Sequence, residues 1–177
     1  PLLLELNKKG YLNGHTPFSA YLSFLSTLVA KIYGFKNVIA SNESSANEET
    51  TSSSGFSVNH QYSKSFDYEK SFDEYSKKYL DTEINYFSIL RPLLDIQIAA
   101  LFSEKKSYLK DFKSCNVHHK KDSWCKTCAK CAFVYLSLFP FLDEEERLSI
   151  FSEDLFLKDE IINHLKDLLG LGEHKPL

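Results

Sequence analysis

All four cysteines of the chain lie between positions 115 and 131, and the remaining 160 or so positions hold none. Nine residues separate Cys115 from Cys125, then two separate Cys125 from Cys128 and two separate Cys128 from Cys131. Sequence spacing this tight brings side chains together whatever the rest of the chain does. Four thiolates so placed can complete a tetrahedron around Zn²⁺ at about 2.3 Å each. Two disulfides, a redox Cys-x-x-Cys and an iron–sulfur cluster use the same residue type and stand as alternatives. With four sulfur ligands the zinc would have no open coordination position, so the site reads as structural, a clamp between the loop at Cys115 and the helix that follows the last cysteine. Lys120, Lys121, Lys126 and Lys130 would offset its net negative charge, and His118 or His119 is an alternative to one of the sulfurs.

The rest of the sequence bounds the answer more loosely. A length of 177 residues, 43% hydrophobic and 14% aromatic, suffices for one domain or most of one with a sizeable core. The net charge of −3 is spread along the chain and marks no nucleic-acid surface. No apolar run approaches the roughly 18 residues of a membrane span, and no basic segment precedes an apolar one as in a signal peptide. Clustered cysteines without a signal point to a reducing cytoplasm. The absence of methionine and the abrupt Pro1 suggest a fragment of a longer protein.

Taken in order, residues 1–12 are apolar and turn at Lys8-Lys9-Gly10. Phe18, Tyr21, Leu22, Leu25, Leu28, Val29 and Ile32 recur at helical spacing, with Thr16 as N-cap, Pro17 at the first helical position and Gly34 as the stop. Asn37 to Ser41 reads as a buried strand, so a parallel α/β unit is expected. Ligands bind at the carboxyl ends of such strands, which makes Ser41, Asn42, Glu43, Ser44 and Ser45 candidates; a solvated loop explains them equally well. Residues 46–54 read as a low-complexity loop. Val58 to Ser65 is dominated by hydrogen-bonding side chains, suited to a polar ligand or simply to capping the next helix. That helix spans 65–80, with its Asp and Glu residues read as its wet face. Residues 85–90 are strand-like, and Arg91 at their end could meet a phosphate or carboxylate or pair locally. Helices are expected over 94–102 and 105–113, from Cys131 to Pro140, after the capping box at Asp143, and over 158–169.

Walker A, Gly-x-Gly-x-x-Gly, His-Glu-x-x-His and nucleophile-elbow patterns are all missing, so hydrolase readings have no support.

The cysteine pattern downstream of an α/β unit resembles the zinc site of 7-cyano-7-deazaguanine synthases, members of the PP-loop (N-type ATP pyrophosphatase) group. A closer resemblance rests on Asn13 to Ser19, Ser41 to Asn47, Val58 to Ser65, Tyr86 to Leu93, and Ser114-Cys115-Asn116 with Trp124-Cys125 and Lys130-Cys131. In that order these stretches resemble the UDP-N-acetylmuramoyl-L-alanyl-L-glutamate epimerase family, over roughly residues 10 to 176. The resemblance implies an α/β fold: an incomplete PP-loop parallel sheet with helices over 1–112, then a zinc knuckle and C-terminal helices of the same domain over 113–177. It also implies a bacterial enzyme of peptidoglycan-precursor synthesis that uses ATP with Mg²⁺ to invert the terminal L-glutamate of UDP-MurNAc-L-Ala-L-Glu, releasing AMP and diphosphate.

Under that resemblance Ser41, Asn42 and Ser44 would line the nucleotide or acyl-adenylate pocket, with Glu43 as a Mg²⁺ ligand. Asn59, His60, Gln61 and Tyr62 would bind the glutamyl or adenylate portion. His60 is the first candidate for proton transfer and His15 the second, because imidazole exchanges protons near neutral pH. Arg91 would hold a substrate carboxylate or phosphate. Two departures stand out. The Ser-Gly-Gly-x-Asp-Ser loop of the PP-loop group is not in this sequence, so the 177 residues alone are not expected to turn over ATP. Lys126 occupies a knuckle position where a glycine is expected. Another PP-loop carboxylate-activating enzyme, or a non-catalytic zinc-stabilised module, remains open as an alternative.

Overall fold

The fold is described from a computed structural model, for residues 2–11, 17–49, 51–53, 55–80, 83–118 and 120–172. The chain forms two compact units, Pro1–Pro92 and Leu93–Leu177.

The first unit opens with α1 (Leu2–Lys8) and α2 (Phe18–Tyr33). Pro17 takes the N-cap position of α2, so the helix starts one residue later than the sequence suggested, and Thr16, the expected cap, lies outside the described residues. Gly34 ends the helix at φ 72°, in the left-handed region where a side chain would be strained. Strand β1 (Asn37–Ala40) follows. The stretch 46–54, expected to be loop, is instead partly built: a 3₁₀ turn over Ser44–Asn47 leads to an antiparallel hairpin of β2 (Thr51–Ser53) and β3 (Phe56–Val58). Gly55, at φ 81°, makes its tight turn. Runs of Thr and Ser are read as polar filler from composition, yet Thr suits an extended strand once a turn residue sets the register.

A second 3₁₀ turn (Tyr62–Lys64) carries the chain into α3 (Phe66–Tyr79), whose first turn is capped by the Ser65 hydroxyl accepting from the Tyr68 N–H. Strand β4 (Asn85–Ser88) then pairs in parallel with β1, Asn37 opposite Asn85 and Ala40 opposite Ser88. The Ile89 N–H makes the last bond, to the Ala40 carbonyl, and Ile89-Leu90 turns away from the strand expected there. Parallel pairing through an intervening helix is the α/β arrangement expected. Phe72 of α3 is the hub of this packing, edge-on to Phe24 and Tyr86 with centroids 4.8 and 5.0 Å away.

In the second unit α4 (Asp95–Ser103) starts where the Leu94 N–H donates to the Gln97 side chain. The expected helix over 105–113 is only a 3₁₀ turn, Lys106–Tyr108. So short a segment, with lysines at 105, 106, 110 and 113, does not repay helix nucleation. Helices α5 (Ala129–Leu138), α6 (Glu144–Phe151) and α7 (Asp159–Leu168) complete the unit. Asp143 and Glu146 form the expected capping box at α6, with bonds of 2.8 and 3.2 Å. Cys131, Ala132, Tyr135 and Leu138 make the buried stripe of α5 against Phe151, Leu155 and Ile161. No helix among the described residues is long and apolar enough to cross a membrane.

Candidate functional site

The cysteine cluster grows directly out of this second core. Cys128 is the N-cap of α5 and Cys131 lies in its first turn, fully buried. Trp124, held between Phe112 and Phe151 at centroid distances of 5.3 and 4.9 Å, anchors the segment just before Cys125. The four Sγ atoms of Cys115, Cys125, Cys128 and Cys131 lie within 4.8 Å of one another and form no disulfide. Cys131 stands 3.7 Å from Cys125 and 3.6 Å from Cys128. Four sulfurs each about 2.3 Å from one tetrahedral ion would be about 3.8 Å apart, so the spacing fits a single metal ion.

The backbone is arranged for thiolates. The N–H groups of His118 and Cys125 donate to Cys115 Sγ at 3.2 and 3.3 Å, and the Thr127 hydroxyl donates to Cys125 Sγ at 3.6 Å. Burial works to raise the Cys125 thiol, but hydrogen bonds from the Thr127 backbone and hydroxyl and from Cys128 and Cys115 bring it down to about 6. Burial pushes the Cys131 thiol up, against a bond from the Lys126 backbone. The His118 ring faces the Ser123 hydroxyl at 3.2 Å rather than joining the sulfurs, and His119 lies outside the described residues. Lys126, where a glycine was expected, has φ 64°, so the knuckle keeps its left-handed turn despite carrying a side chain.

In the first unit the polar candidates are drawn together by Arg91. Its Nη1 donates to the Glu43 carbonyl at 3.0 Å, and its Nη2 to the Lys64 carbonyl at 2.8 Å and the Glu69 carboxylate at 2.9 Å. One guanidinium therefore ties together the two 3₁₀ turns that present residues 43–47 and 61–64. Asn59 and Asn47 are committed in the same way. Asn59 donates to the Ala46 carbonyl and accepts the Gln61 N–H, each at 2.8 Å. Asn47 donates to the Ser44 carbonyl and accepts the Phe66 N–H. Beside this lattice lies a pocket of about 660 Å³, lined among others by Asn59, Tyr62, Phe66, Asp67, Glu49 and Arg91.

Of the residues expected at a site, Asn59, Tyr62 and Arg91 therefore share one pocket. Ser41 and Asn42 line a different groove, against α2, and Asn42 donates to the Ser88 hydroxyl at 3.0 Å. Gln61 accepts from Lys64 at 2.6 Å, and His60 is exposed on the turn before it. His15 lies outside the described residues. Glu69, read as part of the wet face of α3, is buried on its inner face with Phe72 and Ser76, where it meets Arg91. Its three- and seven-residue spacing from those positions was the available signal. Asp73 likewise accepts the Tyr86 N–H at 3.2 Å as well as pairing with Lys77 at 2.6 Å.

A small parallel α/β unit with a polar pocket, followed by a helical unit nucleated on a four-cysteine cluster, is the class that fold and site define. Residues 1–89 match the MurL N-terminal domain and residues 111–177 match the MurL C-terminal domain. The chain belongs to the MurL family. It is 34% identical over 180 residues to the UDP-N-acetyl-alpha-D-muramoyl-L-alanyl-L-glutamate epimerases of Salinispora tropica and of a Micromonospora species, and 34% over 186 residues to that of Xanthomonas oryzae pv. oryzae. In each case 99% of this chain is covered, but only 39 to 40% of the relative, so the chain spans about two-fifths of the length of the curated relatives it matches. No solved structure matches it.

Proposed function

We propose that this chain is the pocket-and-clamp portion of an ATP-dependent epimerase acting on UDP-MurNAc-L-Ala-L-Glu in the cytoplasmic synthesis of peptidoglycan precursors. The observation that carries the reading is the likeness to three proteins of that name over 99% of this chain. The chemistry is coherent. A Cα proton beside a free carboxylate is very weakly acidic, because the carbanion would sit next to a negative charge. Attack of the glutamyl carboxylate on the α-phosphorus of ATP releases diphosphate and leaves an acyl-adenylate, whose carboxyl group no longer carries a charge next to Cα. A base then removes the Cα proton, a proton returns to the other face, and water releases AMP and the D-glutamyl product.

In this reading the sheet is part of a PP-loop fold. Ser41, Asn42, Glu43 and Ser44 serve the nucleotide, with Glu43 as a Mg²⁺ ligand. The exposed rings of Tyr62 and Phe66 offer faces for the substrate at the pocket rim, while Asn59 and Gln61 shape the turn beneath it. Arg91, with both Nη atoms engaged by protein oxygens, contributes its positive charge to the pocket wall. His60, exposed on the turn next to the pocket, is the candidate for proton transfer and His15 the second. The cysteine cluster binds structural Zn²⁺ and performs no chemistry.

The test is made on an intact polypeptide: the Xanthomonas oryzae relative with this chain in place of its matched region. Given ATP and UDP-MurNAc-L-Ala-L-Glu, it should yield D-glutamate and AMP in equal amounts. D-Glutamate formed without ATP, or AMP formed without inversion, would overturn the reading. A His60→Ala form that exchanges the Cα proton at the unaltered rate would remove His60 from its role.

A further inference from the structure

Helix α2 carries two stripes of different character. Ser23, Thr27 and Ala30 form the buried one, and Ser23 meets the Tyr68 hydroxyl at 2.6 Å. The larger residues Tyr21, Leu25, Leu28 and Ile32, spaced four, three and four apart, form the other, and it is open to solvent. Ile32 is 69% exposed, and further along the chain Phe35 is 61% and Ile39 of β1 57% exposed. A helix of a finished surface shows the reverse, apolar inward and polar outward. With small residues inward and large apolar ones outward, α2 is built to be covered on its outer side as well.

The neighbouring strand says the same. On β4 the outer edge is closed, because the Tyr86 N–H is taken by the Asp73 carboxylate at 3.2 Å. On β1 it is not. The Lys36 and Ala40 carbonyls are turned toward β4, where they accept from Asn85 and Ile89, so the alternation of a strand turns the Ile39 N–H and C=O the other way. No described strand pairs with that edge. Parallel sheets are stable when both faces are covered, and a two-stranded one does not stand alone. A groove of about 620 Å³ runs along the flank of α2, where Leu22, Leu25 and Val29 face Val38 and Ile39 of β1, and Leu25 joins it to the open stripe.

We infer that the outer edge of β1 and the large-residue stripe of α2 are an internal docking surface, filled by a strand and an apolar helix from the part of the family polypeptide outside the two-fifths matched here. About three-fifths of each relative lies outside the match, enough to supply such a unit. The occupant is specified by its chemistry: a strand that pairs with Ile39 and apolar side chains that seat over Leu25, Leu28 and Ile32, stopping short of Ser41 and Asn42, which the proposed function leaves to the nucleotide. The inference rests on family membership and on the exposed face, not on the epimerase reading.

Hydroxyl-radical footprinting of the 177-residue chain alone, and of the same chain carried within the intact Xanthomonas oryzae relative, tests it. Oxidation of Tyr21, Ile32 and Phe35 should fall about five-fold or more in the intact protein, as exposures of 59 to 69% fall to the 8% or less of the core, and the amide of Ile39 should become protected from exchange. Equal exchange protection of the α3 amides in the two forms checks that the carried first unit is folded. In addition, Leu25→Asp with Ile32→Asp should lower the melting temperature of the intact protein and leave that of the chain alone unchanged. Equal labelling in the two forms would overturn the inference. So would a chain that alone is already protected and sediments as a dimer, which would assign the face to a second copy. Loss of epimerase activity in the same protein would not affect the outcome, so the two readings fail separately.

Discussion

The guanidinium of Arg91 and the carboxylate of Glu69 meet at 2.9 Å with their side chains only 13% and 8% exposed. Tyr86 lies within electrostatic reach of the pair, and its phenol is raised by burial and further by Tyr68 and Glu69, so it stays neutral. Removing one partner of a buried pair leaves the other charge uncompensated, which costs roughly 3 kcal/mol or more. Glu69→Ala is therefore expected to destabilise the chain by about 3 kcal/mol in urea unfolding. Arg91→Lys should do no better, because one ammonium cannot replace a fork that also holds the Glu43 and Lys64 carbonyls. A Glu69→Ala form within about 0.5 kcal/mol of the parent would show that the pair is a surface-like contact.

Trp124 is the only tryptophan of the chain and packs directly before Cys125. Its emission is thus a specific reporter of the cysteine cluster. Where thiolates hold a structural ion, binding energy is folding energy, so a chelator should shift Trp124 emission to the red, release one zinc per chain and lower the melting temperature. Cys131→Ser should reproduce the shift without chelator. Metal analysis finding no zinc, with Trp124 emission indifferent to chelation, would refute the clamp.

Tyr135 is buried on α5, and its hydroxyl donates to Asp154 Oδ1 at 2.8 Å, a carboxylate oxygen that also accepts the Phe156 N–H at 2.9 Å. Burial and then the Asp154 bond raise its phenol, which keeps it a donor across the neutral range. Tyr135→Phe should preserve the ring contacts with Phe151 and Phe156 but lose a bond to a charged acceptor, for a cost of about 1.5–3 kcal/mol. A thermal melt of Tyr135→Phe against the parent measures it, and a change below about 0.5 kcal/mol would mean that Asp154 finds water instead.

What could be read in the sequence was whatever depends on short separations. The cysteines declare themselves because two-residue spacings force their sulfurs together, and the Asp143 box because its partners lie three residues apart. The α3 cap at Ser65 and the stop at Gly34 are equally local. The pocket was legible only in part, since the bonds that draw its turns together join residues 13 to 48 apart. Asn59 and Arg91 looked like ligand-binding groups because their chemistry suits a ligand; that same chemistry satisfies the Ala46, Glu43 and Lys64 carbonyls instead. Glu69 was hidden by its own charge, because its partner lies 22 positions later. Helix α2 was visible from its large apolar stripe, yet nothing local distinguishes a stripe facing its own core from one awaiting further chain.

Lys126 gives the sharpest test of a local rule against a tertiary contact. Its φ of 64° costs a side-chain-bearing residue about 1 kcal/mol relative to glycine. Against this, its ammonium reaches Glu153 at 3.2 Å, and Glu153 also binds Lys158 at 3.1 Å. These side chains are partly exposed, so the contact with Lys126 contributes little, between 0 and about 1 kcal/mol, and Lys158 remains to pair with Glu153 when it is gone. Relief of backbone strain should therefore win: Lys126→Gly is expected to stabilise the zinc-loaded chain by up to about 1 kcal/mol. Lys126→Val, which loses the ion pair and adds a β-branched side chain in the left-handed region, should destabilise it by more than that. Melting both variants at low and high salt separates the contributions, because only the ion pair is screened. A Lys126→Gly form less stable than the parent at every salt concentration would mean that the lysine side chain itself holds the knuckle closed.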